Sequence, residues 1–349
     1  MLKKLALAAL FAAIPAASQA WFDLGHKVVC EIAQKQFTQK TKEALKDILK
    51  GGDFPSSCVW PDLRKGRGDP LAHTAVWHFL NLEDGENYFV KDHINKQGDV
   101  VQALLLCASK LADPNLPLNE KKIYLSFLGH LTGDIHQPLH AGHGSDLGGN
   151  KIAVTWFGAR QQTADIKESH GQNPALCTQH GEVFDSGLGE CLYTRKSTMN
   201  MNLHGVWDGF LFDRFISITP ELEKIPSNDP LLYKAYATYL LAHVDQPQNW
   251  QYKTFWDWAQ ESIALSRAAY DLSKDLRHGG AVYSLGKDYY QRNIGAAHKQ
   301  LVVAGLRLGQ TLNRIFDKAF DDSASATSFD TEQDKLKSRL LELVPVLEL

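Results

Sequence analysis

Nine residues between positions 21 and 208 share one kind of chemistry. His26, Asp62, His78, His130, Asp134, His140, His204 and Asp208 offer imidazole or carboxylate groups, and Trp21 stands where a leader-cleaved chain would begin. Two pairs, His130/Asp134 and His204/Asp208, are spaced four apart. On a helix that spacing puts both side chains on one face, so each helix presents two donors to one point. Nitrogen and oxygen donors without thiolate suit a divalent metal engaged in hydrolysis, zinc above all, better than a structural cysteine site. One such pair is weak evidence, since His and Asp often find ordinary partners. Two pairs set in apolar sequence weigh more, because a lone buried charge is costly. After Asp134 the chain reads Ile-His-Gln-Pro-Leu-His140; Pro138 should end or kink the helix and turn His140 toward a different ion than His130. His136 falls on another face and reads as a hydrogen-bonding residue.

The elements that must position these groups are mostly helical. Val28, Val29, Ile32 and Ala33 form one apolar stripe after His26, and Ala44, Leu45, Ile48 and Leu49 form another before Gly51-Gly52. Val100 to Leu111 is strongly apolar, and a long helix from about Glu120 carries His130 and Asp134. Residues 201–218, 231–242, 255–272 and 289–316 also read as helices. Lys151 to Phe157, with branched residues alternating after Gly148-Gly149-Asn150, reads as a strand and as half of a small β-hairpin. The polar stretch Asp321 to Glu332 reads as a linker before a terminal amphipathic helix. The expectation is an all-α, mostly helical bundle: a leader over 1–20, one domain over 21–320, and the linker with its helix over 321–349.

Lys3 and Lys4, the apolar run Leu5 to Ala17 and Ser18-Gln19-Ala20 form a secretory signal peptide cut before Trp21. The run is shorter than the about 20 apolar residues a span needs, and Pro15 interrupts it. A secreted or periplasmic protein without an integral membrane segment follows. The chain has 37 basic and 40 acidic residues; loss of Lys3 and Lys4 leaves 35 against 40, a formal charge of −5. That excludes a broad basic nucleic-acid surface, so any polyanion must be held locally, a task clustered cations perform well. Five cysteines in an exported chain permit two disulfides. Sequence does not choose the pairing: Cys177 and Cys191 are close in sequence and favoured, while Cys30 fits a bridge or a buried thiol equally well.

Taken together the motifs become recognisable. Trp21-Phe-Asp-Leu-Gly-His26, Trp60-Pro-Asp62, Trp77-His78-Phe79, Gly129-His-Leu-Thr-Gly-Asp-Ile-His-Gln-Pro-Leu-His140, Gly148-Gly-Asn150 and Asn202-Leu-His-Gly-Val-Trp-Asp208 occur in a fixed order. This set resembles the secreted, zinc-dependent, single-strand-specific nucleases and 3′-nucleotidases, a family that shares its helical fold with zinc-dependent phospholipase C. The resemblance implies three zinc ions. Asp62, His78, His130 and Asp134 would hold one; the freed amine and carbonyl of Trp21, with His26 and again Asp134, a second; His140, His204 and Asp208 a third. It further implies that a water between the two ions sharing Asp134 is activated for attack, with Asp62, Lys65 and Asp134 in the catalytic group.

Substrates implied by the resemblance are single-stranded DNA and RNA, cut to 5′-phosphates, and 3′-nucleotides. Lys65 would lie on the scissile phosphate, although a solvated lysine in the basic run 64–67 is the plain alternative. Phe79 would stack on a base, with core packing as the competing role, and Gly149 and Asn150 would hydrogen-bond it. Asn81 stands where fungal relatives carry an Asp that grips the base, which leaves base preference open. Residues 160–199 are longer than the pattern expects and read as a disulfide-pinned surface loop, with an extra metal site at His170 and His180 as the lesser alternative. No stable protein partner is implied, and a monomer is expected. Two further readings stay open: a zinc-dependent phospholipase C, and a non-catalytic exported zinc-binding protein.

Overall fold

A computed structural model describes residues 21–343 and 347, apart from 67, 84, 91–92, 170–176, 178–182, 186–189, 247–248, 276, 279–281, 321–323 and 344–346. The signal peptide and both His170 and His180 therefore lie outside the described residues.

Helices dominate. In chain order they are α1 (Asp23–Lys35), α2 (Gln39–Leu49), α3 (Phe54–Ser57), α4 (Val100–Ala112), α5 (Leu118–His136), α6 (Leu203–Gly205), α7 (Leu211–Ile216), α8 (Pro230–His243), α9 (Phe255–Ala269), α10 (Lys287–Phe316) and α11 (Ala324–Leu341). Local chemistry marks their starts. The Asp99 carboxylate accepts from Val101 N and Gln102 N at 3.0 Å ahead of α4, and Thr254 with Asp257 closes a capping box on α9. Helix α5 runs through the middle, packed against α1, α4, α9 and α10, and its residues from Tyr124 to His136 are all buried. A helix with no solvent face needs no amphipathic stripe, and every polar group on that stretch must find a partner inside. Helix α10 packs along α1, where a Cβ on Gly305 would come within 2.5 Å of the Ile32 side chain. Polar residues 321–332 are helical from Ala324, and Leu336 and Leu340 of that helix are buried. Among the described residues no helix is long and apolar enough to cross a membrane.

The strands differ from expectation. The stretch Lys151–Phe157 yields only β1 (Val154–Trp156), and it is not half of a hairpin. Its partner comes from far along the chain: β6 (Val282–Leu285) pairs parallel with β1, Val154 opposite Tyr283, and antiparallel with β5 (Arg277–His278). The strand ends early because Trp156 and Ala159 exchange backbone hydrogen bonds of 2.9 and 3.0 Å around Phe157 and Gly158, both at positive φ. The hairpin lies instead in the segment expected to be a loop. Here β2 (Gln161–Ser169) pairs antiparallel with β4 (Glu190–Asn200), Gln161 opposite Asn200, and β3 (Val183–Asp185) pairs with the other edge of β4. A sheet that packs little on a core needs no apolar alternation, so its strands are hard to see in sequence. The expected Cys177–Cys191 bridge is present there, and Leu192 packs with Val59, Trp60 and Leu63.

Candidate metal centre

Helix α5 supplies His130 and Asp134, and two glycines on it make room for what packs above. A Cβ on Gly129 would come within 2.5 Å of Cys58 Sγ, and one on Gly133 within 2.7 Å of His26 Nδ1. The Cys30–Cys58 disulfide, which ties α1 to the segment before Asp62, thus rests on Gly129. The His26 ring lies over Gly133 and stacks on His130 with centroids 3.7 Å apart. Two short 3-10 turns deliver the rest: Trp60–Arg64 brings Asp62 and Ala72–His78 brings His78.

The Asp134 carboxylate is the hub. Its Oδ2 lies 3.0 Å from His78 Nδ1 and 3.3 Å from His130 Nε2, and its Oδ1 lies 3.5 Å from His26 Nε2. Asp62 Oδ1 is 3.3 Å from His130 Nε2 and 3.7 Å from His78 Nδ1. Two donor groups result, His26/His130/Asp134 and Asp62/His78/His130, each within 4.8 Å and wholly buried.

A third group, His140/His204/Asp208, meets the same limit. Gln137 and Pro138 end α5, and the 3-10 turn Pro138–His140 follows, as the proline requires. His204 sits in α6, and Asp208 in a π-helical turn over Val206–Phe210. Asp208 Oδ2 is 3.3 Å from His204 Nε2 and Oδ1 3.8 Å from His140 Nε2.

The donor chemistry fits cations. A carbonyl can only accept, so His130 Nδ1–H donates to Cys58 O at 2.7 Å, His140 Nδ1–H to His78 O at 2.6 Å and His204 Nδ1–H to Gly148 O at 2.6 Å. In the neutral rings those bonds leave Nε2 bare and aimed inward, which is how metal-binding histidines are oriented. His140 Nε2 and His204 Nε2 face each other at 3.0 Å. Both nitrogens of His26, Nε2 of His78 and both oxygens of Asp134 are buried without hydrogen-bond partners, and the oxygens of Asp62 have only the Lys65 ion pair and the nearby imidazoles. Such groups are rarely left so, and a divalent ion would satisfy them together.

Electrostatics agrees. Burial pushes Asp134 up, but His130 and His78 beside it hold the carboxyl well below the usual range. Asp62, also opposed by burial, is held down by Lys65 and His130. Burial alone would lower His130, yet Asp134 and Asp62 outweigh it and raise its pKa to about 10. Burial holds His26 down at about 3, His140 at about 3 and His78 at about 4, so these rings are neutral donors at ordinary pH.

The remaining predicted residues surround this centre. Lys65 is half-buried, with its side chain ion-paired with Asp62. Trp21 is fully buried, its indole N–H donating to Gly133 O at 2.5 Å, and its carbonyl accepts from His26 N at 3.4 Å. Phe79 is half-buried and is not among the residues packed on the core. Asn81 is half-buried at positive φ. Gly149 N–H donates to Asp146 Oδ1 at 2.7 Å, while Asn150 Nδ2 donates to Leu147 O at 2.8 Å and its Oδ1 accepts from Asn202 at 3.4 Å. A base bound there would have to share or exchange these bonds. His136, as expected, makes hydrogen bonds: its Nδ1–H donates to Thr132 O at 2.7 Å and its Nε2 accepts from Arg307 at 2.9 Å.

Sequence reading passed over Gln137, whose Nε2 donates to Asp208 Oδ1 at 2.6 Å. It also missed Arg307, buried on α10 and paired with Glu261 at 2.7 Å, because nothing local marks a lone Arg on a helix as interior.

Comparison with known proteins bears on this geometry. The profile of the S1/P1 nuclease family matches residues 21–164 and 180–317. Endonuclease 3 of Arabidopsis thaliana is 29% identical over 312 residues, covering 85% of this chain and 89% of the relative. Endonuclease 2 of the same plant is 27% identical over 316 residues, covering 85% and 90%. Nuclease S1 of Aspergillus oryzae is 31% identical over 150 residues, covering 40% of this chain and 50% of that protein.

Proposed function

We propose, on the premise that the chain belongs to the S1/P1 nuclease family, that this nuclease is a secreted trinuclear zinc enzyme. It cuts single-stranded DNA and RNA to 5′-phosphates and removes phosphate from 3′-nucleotides. The observation that carries the reading is the set of three buried His/Asp groups, each with its imidazole and carboxylate donors within 4.8 Å of one another.

Asp62, His78, His130 and Asp134 would hold one ion, Asp134 with His26 and the amine and carbonyl of Trp21 a second, and His140, His204 and Asp208 a third. Zinc there supplies an activated water at neutral pH and positive charge for the phosphate. The protein's own residues do the rest. Cys58, His78 and Gly148 carbonyls fix three imidazoles in the donor tautomer. Asp134 would be shared by two of these ions, since its two oxygens face His78 and His130 on one side and His26 on the other. Lys65, held by Asp62, is placed to share its charge with the scissile phosphate. Phe79, half-buried beside His78, would offer a face on which any base can stack, worth about 1–3 kcal/mol. The two disulfides suit the oxidising compartment that the leader predicts. The body over 21–320 acts as a monomer.

The test is metal-stripped protein beginning at Trp21, assayed on single-stranded DNA with and without zinc, with phosphatidylcholine in parallel. Cleavage that returns with zinc and leaves 5′-phosphates supports the reading. Lipid cleavage without nucleolysis moves the enzyme to the phospholipase C class, and silence on both substrates makes it a binding protein.

A further inference from the structure

We infer that Gln137 is a positioning residue, which holds Asp208 and so sets the affinity of the third ion; the inference rests on the three-ion reading. Gln137 is fully buried, and its polar groups connect three candidate ligands. Its backbone N–H donates to Asp134 O at 2.9 Å, and its carbonyl accepts from His140 N at 2.9 Å. Its side-chain Oε1 accepts from Leu139 N at 2.6 Å. Because that N–H can only donate, the amide orientation is settled and the NH2 end faces Asp208 Oδ1 at 2.6 Å. While Oδ1 accepts from Gln137, Oδ2 lies 3.3 Å from His204 Nε2. Gln137 thereby anchors one carboxylate oxygen of Asp208 and restrains the carboxylate from rotating. It also joins the end of α5, which carries Asp134, to the turn that carries His140.

Gln137→Glu separates this role from simple capping. Its carboxylate is the same size and can still accept from Leu139 N, but it cannot donate to Asp208. Zinc content is followed while wild type and Q137E are titrated with a competing chelator, and folding is checked by circular dichroism. The expected result is two ions held as in wild type and a third weakened about 10–100-fold, the usual range for losing a partner of a metal ligand. A third ion as tight in Q137E as in wild type would overturn the inference, because capping alone then explains the residue. Should Q137E not fold, Gln137→Leu, which buries no charge, is read the same way: a third ion weakened tenfold or more supports, wild-type affinity overturns. Fewer than three ions in wild type would bring down the three-ion reading itself, and this inference with it.

Discussion

The group around Asp134 and the group around Asp208 use the same donor types but are held in place differently. Around Asp134, two carboxylates and three imidazoles crowd a space that solvent does not reach, and charge organises them: Lys65 and the raised proton affinity of His130 answer Asp62 and Asp134. Around Asp208, one carboxylate serves two imidazoles, and hydrogen bonds organise them: carbonyls of His78 and Gly148 fix the rings, and Gln137 fixes the acid. A charge-held site should respond most to removal of charge. A hydrogen-bond-held site should respond most to removal of its partners. The disulfides contrast in the same way, since Cys30–Cys58 lies beneath the first group with Cys58 O orienting His130, whereas Cys177–Cys191 closes the β2–β4 hairpin.

The largest effect expected is that of Asp134→Ala, which on the three-ion proposal would take a ligand from two ions at once. Loss of about 4 kcal/mol of transition-state stabilisation would lower hydrolysis of single-stranded DNA about 10³-fold, with zinc content falling to one ion per chain. Retention of three ions in that variant would remove Asp134 from its place as hub. Next comes removal of all metal. An ion present at a thousand times its Kd stabilises the fold by about 4 kcal/mol, so chelation should lower the melting temperature well beyond what Q137E does. An unchanged melt would mean that the centre is organised without cations.

An intermediate effect is expected on adding residues before Trp21. On the three-ion proposal an N-terminal peptide bond would replace the amine donor, and zinc affinity beside His26 should fall about 10–100-fold, the range seen when a site loses supporting interactions. Full specific activity in an extended protein would exclude the amine as a ligand.

Away from both groups, His298 on α10 shares a 2.8 Å hydrogen bond with Tyr236 on α8, and burial lowers its pKa from 6.5 to about 4. The unfolded chain therefore takes up this proton first as pH falls. The stabilising contribution is complete above pH 6.5 and is lost between about 6.5 and 4, by about 3 kcal/mol. Denaturant unfolding of His298→Gln should be correspondingly flatter over that interval, and an equal slope would refute the assignment. The smallest effect belongs to the hairpin. Replacing Cys177 and Cys191 by Ser should change cleavage of short substrates by no more than about twofold, because opening of a peripheral unit leaves the core intact. A loss as large as that from replacing Cys30 and Cys58, where a core bridge is worth about 2–5 kcal/mol, would make the hairpin part of the centre.

Much of this centre could be read before any coordinates. His130/Asp134 and His204/Asp208 are visible because a helix repeats locally, so residues four apart share a face whatever the rest of the chain does. Pro138 likewise announces the end of α5 through its own ring and missing N–H. The limits of the apolar helices lay within a few residues of those found, since apolar periodicity reports burial directly, whereas the polar stretch read as a linker proved helical from Ala324. Other features had no local signal. That Asp134 stands between three imidazoles, that Cys30 pairs with Cys58, that β1 pairs with β6 across more than a hundred residues, and that Gln137 meets Asp208 are all facts of packing. The sequence by itself determined which donors are present and which of them travel together. Only the tertiary structure decided which atoms face inward, because a ring's tautomer and a carboxylate's free oxygen are chosen by hydrogen bonds from residues remote in the chain.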